Sequence, residues 1–373
     1  AVAIASNNST PTIAKEGDDI TISITASEAI SQPVVTFQSG GADIDGSVSY
    51  TGTGTTWTAA YTPASVDTDG VVTYSIAFSD LAGNAGTAVT EGQQNTLIGG
   101  LAGDAITDAD GNVAVGYASL TTNVLGSDSV AIGKNALNAQ NPASATAMHN
   151  VAVGKNAGEA ITTGTLNTFI GGEAGVAITE GTRNVALGKG ALSSDDLGSK
   201  TVAIGVGALG DQNYASATDS YNVAVGDAAG NQVTTGVQNV IIGGLAGDAL
   251  TDADYNIAIG YNALTADTKG SKSVAIGTGT LATQNFTTST DARNIAVGYN
   301  AGTAITTGQY NVLMGTFAGD ALTTGANNTA IGDAALSAED AHGYNTAIGA
   351  ESLKVMNAGA DSYSTAVGYQ AGF

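Results

Sequence analysis

The sequence predicts an all-β chain made of a small β-sandwich followed by a long parallel β-solenoid. Three observations carry that prediction. A five-residue motif, polar, Val/Thr/Ile, apolar, apolar, Gly, recurs sixteen times between residues 95 and 373. Its glycines are spaced by 17 or 21 residues, apart from a last interval of 19, which is the signature of a solenoid whose units stack on their neighbours. Residues 1–91 instead carry short alternating apolar runs between turn signals, and three of the four prolines.

Composition excludes several function classes. Of 373 residues 52 are Gly, and charged residues are 12% against a usual ~25%. A net charge of −23 argues against a nucleic-acid groove or a basic membrane surface, and no apolar run approaches the ~18 residues of a membrane span. Without Cys there is no disulfide framework or thiolate chemistry, and two His, His149 and His342, are too few for an imidazole metal centre. No signal-peptide pattern precedes Ala1, so the chain is expected to be part of a longer or processed polypeptide.

In the first segment, Ile20, Ile22 and Ile24 alternate with Thr21, Ser23 and Thr25 as in a half-buried strand. Similar runs follow at Val34–Phe37, Thr56–Tyr61 and Val71–Phe78, separated by Gly40-Gly41, Asp45-Gly46, Asp69-Gly70 and Ala82-Gly83-Asn84. About seven short strands in some 90 residues fit a sandwich with Trp57 in its core. KEGDDITISITASEAI (15–30), TTWTAAYT (55–62) and DTDGVVTYSIAFSDLAGN (67–84) resemble bacterial immunoglobulin-like modules of surface proteins and phage fibres. That resemblance implies a spacer, in some cases a carbohydrate binder.

In the second segment, residues 92–373, four coils make a 72-residue super-repeat. Motif position one is Asn in twelve coils, which predicts a stacked amide ladder, and position five is always Gly, as where φ must be positive or another chain passes close. Position nine reads Gly, Leu, Leu, Gly in each super-repeat. Ile, Leu or Val stands at position twelve where nine is Gly, and polar residues stand there where nine is Leu, Met356 excepted. One interior space filled from two places explains that exchange. Position three is apolar in all sixteen coils and Ala in twelve. Lying opposite positions two and four on the strand, it is expected to face another subunit, with Leu97, Phe169, Ile241 and Leu313 as layers of an interchain core.

NVAVG, SVAIG and NTAIG resemble the repeats of trimeric autotransporter adhesin heads, and STAVGYQAG (364–372) with NVAVGKNAGEAITTGTLNTFIG (150–171) is similar to phage tail-fibre repeats. The resemblance spans residues 95–373. It implies a left-handed β-roll assembled as a homotrimer, extracellular, on a virion tail fibre or a bacterial surface, attaching to a cell-surface glycan or protein receptor. The 17- and 21-residue coils are longer than the adhesin-head type. The alternative reading is a bacterial surface adhesin or extracellular filament.

Catalysis is not expected, because two His in different loops and scattered acids form no triad. No cofactor is expected except calcium, for which Asp104, Asp108 and Asp110, and again Asp248, Asp252 and Asp254, offer three carboxylates per turn. Adjacent Thr pairs at 162–163 and 306–307 raise an ice- or mineral-binding reading, weakened because neighbouring side chains point to opposite faces. The candidate binding loops are the four-residue inserts at QNPASAT (Gln140, Asn141), QNYASAT (Gln212, Asn213, Tyr214) and QNFTTST (Gln284, Asn285, Phe286), with Tyr214 and Phe286 as aromatic tips.

Overall fold

A computed structural model of the chain describes residues 2–7, 16–26, 29–39, 42–44, 47–67, 72–77 and 92–373. Among the described residues every element is a strand. The four turn signals expected in the first segment, and the boundary near Glu91, fall wholly or partly outside the described residues.

The first segment forms two antiparallel sheets. One orders β1 (Val2–Ser6), β2 (Ile20–Thr25), β6 (Thr56–Tyr61) and β5 (Ser49–Thr53) as β1-β2-β6-β5. The other orders β4 (Ala42–Asp43), β3 (Val34–Ser39) and β7 (Val72–Ala77) as β4-β3-β7. The alternation of β2 does what its period predicts: Ile20, Ile22 and Ile24 are buried and cluster with Val35, Phe37, Ala59, Tyr61 and Ile76, so the two sheets share one core. Trp57 is half-buried at the margin of that core, not within it, and its indole Nε1 donates to Gly54 O at 3.2 Å.

The second segment is one parallel sheet of sixteen three-residue strands, from Thr96–Ile98 to Thr365–Val367, stacked in strict chain order. Each position pairs with its equivalent one coil on, as Val130, Ala131 and Ile132 do with Val151, Ala152 and Val153. Backbone bonds continue the ladder around the rest of the coil, for example Leu209 N to Ala229 O at 3.1 Å and Thr306 N to Thr323 O at 2.9 Å. Such a circuit needs nearly every amide donor, which is why Pro142, in an insert, is the only proline of the repeats.

Position five shows why its glycine is invariant. At Gly226 φ is +144°, and a Cβ would stand 2.5 Å from the carbonyl oxygen of Gly243, the same position one coil on. Side-chain-free backbones therefore stack directly upon each other along the whole solenoid.

The direction of position three overturns the expected interchain core. Its side chains point into the coil: twelve alanines with Phe169, Ile241 and Leu313 form the solenoid's own core, the three large residues without exposure. Leu97 is 37% exposed because it lies in the first coil, with no preceding coil to cover it. Phe169, Ile241 and Leu313 cannot form layers between chains, since their surface is already spent within one, and Leu97 occupies the same inward-facing column. Positions two and four point outward instead.

Position three also enters the volume exchange. A Cβ on Gly158 would lie 2.8 Å from the Phe169 ring, and one on Gly175 would lie 2.6 Å from it. Glycines at position nine thus bracket each large interior residue, while Leu at nine accompanies Ala at three. Apolar residues at twelve lean toward the same space, Leu250 Cδ1 standing 2.8 Å from where a Gly247 Cβ would be. The second glycine of Gly99-Gly100 and Gly243-Gly244 has no such cause. A Cβ on Gly100 would meet the Tyr117 ring at 3.6 Å, and one on Gly244 the Tyr261 ring at 3.7 Å and Asp227 O at 4.0 Å, all ordinary contacts, so crowding does not explain it.

Candidate functional site

The asparagine ladder is real: amide bonds amide directly at Asn167–Asn150, Asn239–Asn222 and Asn311–Asn294 at 3.2–3.3 Å, and further rungs run from side chain to backbone. Asn112 Oδ1 accepts from Ser129 N at 2.9 Å, Asn150 Oδ1 from Asn167 N at 3.0 Å and Asn222 Oδ1 from Asn239 N at 2.9 Å. The amide nitrogen bonds inside its own coil, as Asn184 Nδ2 does with Gly198 O at 2.8 Å. These buried amides therefore tie coils together with their polar atoms satisfied, except at Asn345, whose buried Nδ2 has no partner.

The insert coils begin with Ser129, Thr201 or Ser273, whose side chains are too short to extend the ladder. Gln140, Gln212 and Gln284 supply what is missing. Each is fully buried, and its Oε1 accepts from the next asparagine, Asn150, Asn222 or Asn294, at 2.8–3.0 Å. They are ladder members and not surface ligands, which corrects their assignment to a binding loop.

Tyr214 and Phe286 are corrected likewise. Each is only 5% exposed and packs inward with the equivalent Pro142. The Tyr214 hydroxyl donates to Gly236 O at 2.7 Å, and burial pushes its pKa well above the usual phenol value. The wider insert coil has an interior to fill. Where Pro142 is small, Met148 is buried in the same neighbourhood, and where Phe286 is large its counterpart is Ala292. Only Asn141, Asn213 and Asn285 and the tips 143–145, 215–217 and 287–289 face solvent. Short parallel strands fix the tips, Gly198–Ser199 pairing with Thr218–Asp219 and Gly270–Ser271 with Thr290–Asp291.

Behind the inserts lie buried acids that no candidate site included. Asp195 and Asp267 are unexposed. Asp267 accepts from Gly270 N at 3.0 Å, Phe286 N at 3.0 Å and Gln284 Nε2 at 2.5 Å. Asp195 accepts from Gly198 N at 3.0 Å and Gln212 Nε2 at 2.6 Å, and desolvation raises its pKa despite those bonds. The signal was positional: both acids occupy position twelve, interior in every complete coil.

Neither calcium candidate brings its carboxylates together. Among the described residues the three-member group with ligand atoms within 4.8 Å is Glu339, Asp340 and His342. Glu339 is spent on structure there: Oε1 accepts from His342 N at 3.2 Å and faces Nδ1 at 3.1 Å, and Oε2 accepts from Ala358 N at 3.0 Å. Two of the candidate aspartates bridge successive coils, Asp110 Oδ1 accepting from Gln93 N at 2.6 Å and Asp254 Oδ1 from Val237 N at 2.8 Å. Thr162, Thr234, Thr251 and Thr306 donate their hydroxyls to carbonyls of the next coil at 3.0–3.2 Å, so these ranks are internal bonds and not a free lattice of hydroxyls.

The surface left over is the outer face of the sixteen-stranded sheet. Position four is Ile, Val, Leu or Met in every coil and position two is Val, Ile or Thr, with no charge on either column. Ile132, Ile170, Leu187, Ile242, Met314 and Ile348 are each 37–43% exposed. Two border columns flank this face: the residue before each motif and the sixth residue, just after the motif glycine. They carry the exposed Tyr117, Tyr221, Tyr255, Tyr261, Tyr299, Tyr310, Tyr344 and Tyr363. The residue before the motif has positive φ in all sixteen coils, though only Gly111 is glycine there. Side chains are thus kept where glycine would cost least. Cations stack on the tyrosines, Lys200 Nζ lying 4.9 Å from the Tyr221 ring centroid. Compared with protein-family models, curated proteins and solved structures, the chain matches none.

Proposed function

We propose that the chain is a structural and adhesive fibre protein, non-enzymatic and extracellular, whose repeats form the shaft of a homotrimer. The observation that carries this reading is the unbroken uncharged outer sheet face. Sixteen coils at ~4.8 Å make a strip about 75 Å long, and a three-residue strand makes it about 10 Å wide. Its roughly 750 Å² is close to the ~800 Å² that each partner of a stable complex buries. A contiguous apolar patch of that size marks an interaction surface, and an occupant with the same period along the same length is another copy of the chain. Three-fold assembly and a phage tail-fibre setting rest on the motif resemblance, as does an immunoglobulin-like spacer in residues 1–91. Attachment to a glycan or protein on a host cell then falls to the insert tips, which recur every four coils and multiply weak contacts by symmetry. Light scattering on the purified chain tests the reading. It expects three times the 36.4 kDa of one chain, and a monomer across the micromolar range overturns it.

A further inference from the structure

Charge is segregated around the coil. Of the nine bases in residues 92–373, seven stand on the two borders of the outer face: Arg183, Lys200, Lys272 and Arg293 before the motif, Lys134, Lys155 and Lys189 after it. Only three of the 23 acids of these residues, Asp128, Asp227 and Asp333, share those columns. Lys200, Lys272 and Arg293 are neutralised within the chain by Asp219 and Asp291 at 2.5–2.8 Å. Lys134, Lys155, Arg183 and Lys189 have no carboxylate within 4 Å among the described residues, and all four are exposed. Lys134 and Lys155 follow strands in direct register, so like charges are stacked one coil apart, a local penalty within the single chain. This band occurs once along the solenoid, over the coils that begin at Ser129, Asn150, Asn167 and Asn184.

A repeating apolar face has a defect as an interface: it fits equally well after sliding by one coil. Inserts and large interior residues recur every four coils, so they cannot distinguish a slip of four coils, about 19 Å. A single charged band can, as one polar layer fixes register in a coiled coil. We propose that Lys134, Lys155, Arg183 and Lys189 form an axial register lock, pairing with carboxylates at the same level on the adjoining copy. Rotation about an axis parallel to the shaft keeps equivalent coils level. The acids available at that level are Asp128, Glu159, Glu173, Glu180 and Asp196, none with a cation within 4 Å in its own chain among the described residues. Asp128 and Glu180 are exposed and the other three are half-buried. The lock rests on the assembly reading above and adds to it the contacts that set alignment.

The test uses the absence of native cysteine. A nitroxide on Ala143→Cys, at an exposed insert tip, reports inter-copy distances in the full chain by pulsed electron spin resonance. Aligned three-fold copies give one distance. Combining Lys155→Glu with Lys189→Glu, or raising salt to about 1 M where screening acts within ~3 Å, is expected to add populations displaced along the axis by about 19 Å. Adding Glu159→Lys and Glu180→Lys to the reversed lysines is expected to restore the single distance. One unchanged distance in the lysine variant and at high salt, with assembly intact, overturns the lock and leaves the assembly reading standing. A monomeric parent chain overturns both. Dextran sulfate bound by the assembled parent and not by the lysine variant, with distances unaltered, assigns the band to an external polyanion and also overturns the lock.

Discussion

Gln212 completes the asparagine ladder for Asn222: its Oε1 accepts from Asn222 Nδ2 at 2.9 Å while its Nε2 reaches Thr201 Oγ1 at 3.1 Å. Two residues, a short hydroxyl and a long amide, do in this coil what one asparagine does elsewhere. Gln212→Leu removes the bridge and leaves the buried Asp195 without its side-chain donor. Unfolding by denaturant is expected to show a loss of about 1–3 kcal/mol, the usual cost of stranding buried polar groups. Adding Thr201→Asn is expected to recover some of it by restoring the amide at position one. A double variant no more stable than Gln212→Leu would place the ladder's continuity elsewhere.

Two glycines one residue apart are expected to behave oppositely. Gly243 repeats the geometry of Gly226, with φ +134° and a Cβ position 2.5 Å from Gly260 O. Gly243→Ala must therefore push apart a pair of stacked backbones, and a cost above the ~1–3 kcal/mol of backbone strain alone is expected. Gly244 meets nothing closer than the Tyr261 ring at 3.7 Å, so Gly244→Ala is expected to change stability by less than about 0.5 kcal/mol. Thermal melts of the two variants decide this, and equal losses would refute the stacking account.

Burial raises the pKa of Asp195 above its ordinary value of ~3.9, with the adjacent Asp196 adding to it and hydrogen bonds opposing it. The folded chain then binds that proton more tightly than the unfolded one. Stability from this group is full below the unfolded pKa and is lost as pH rises through the folded pKa. Asp195→Asn abolishes the titration. Asparagine already stands at the equivalent Asn123, where Oδ1 accepts from Gly126 N at 3.0 Å and Nδ2 donates to Gly126 O at 2.6 Å. Relative to the parent, the variant is expected to gain stability as pH rises above the ordinary carboxyl value and through the raised folded one. A parent-minus-variant difference that is flat with pH would show that burial does not govern this carboxyl.

The repeat period, the invariant glycine, the amide ladder and the exchange between positions nine and twelve were all legible in the sequence, because each leaves a mark at a fixed spacing. The facing of position three was not. Alternation shows that Ala131 and Ile132 point opposite ways, but a thin coil can put either set inside, and small residues suit a crowded interior as well as a close interface. One sequence signal decides it: Gly158 and Gly175 at position nine bracket Phe169, and the same pairing recurs around Ile241 and Leu313. A side chain at three that dictates the size of nine in its own and the preceding coil must lie inside with it. The buried faces of Gln212 and Tyr214 were hidden for another reason. A four-residue insert reads as a projecting loop until its width is seen to enlarge the interior, which polar and aromatic groups then fill.

Ile241 and Ile242 are adjacent and separate the core from the outer sheet face. Ile241 is fully buried at position three, whereas Ile242 is 37% exposed at position four on the outer face. Ile241→Asp would bury a carboxylate with no partner, at a cost of several kcal/mol, and is expected to unfold its coil whatever the oligomeric state. Ile242→Asp keeps its charge in reach of water in the single chain, so far-ultraviolet circular dichroism and the melting of the isolated coil stack are expected to stay near the parent's. In the proposed trimer the same substitution would set three carboxylates into the apolar strip, and light scattering is expected to show dissociation at neutral pH with recovery as the carboxyls protonate. The two readouts must diverge. If Ile242→Asp assembles as the parent does at pH 7 while Ile241→Asp unfolds, the outer sheet face is not where the copies meet.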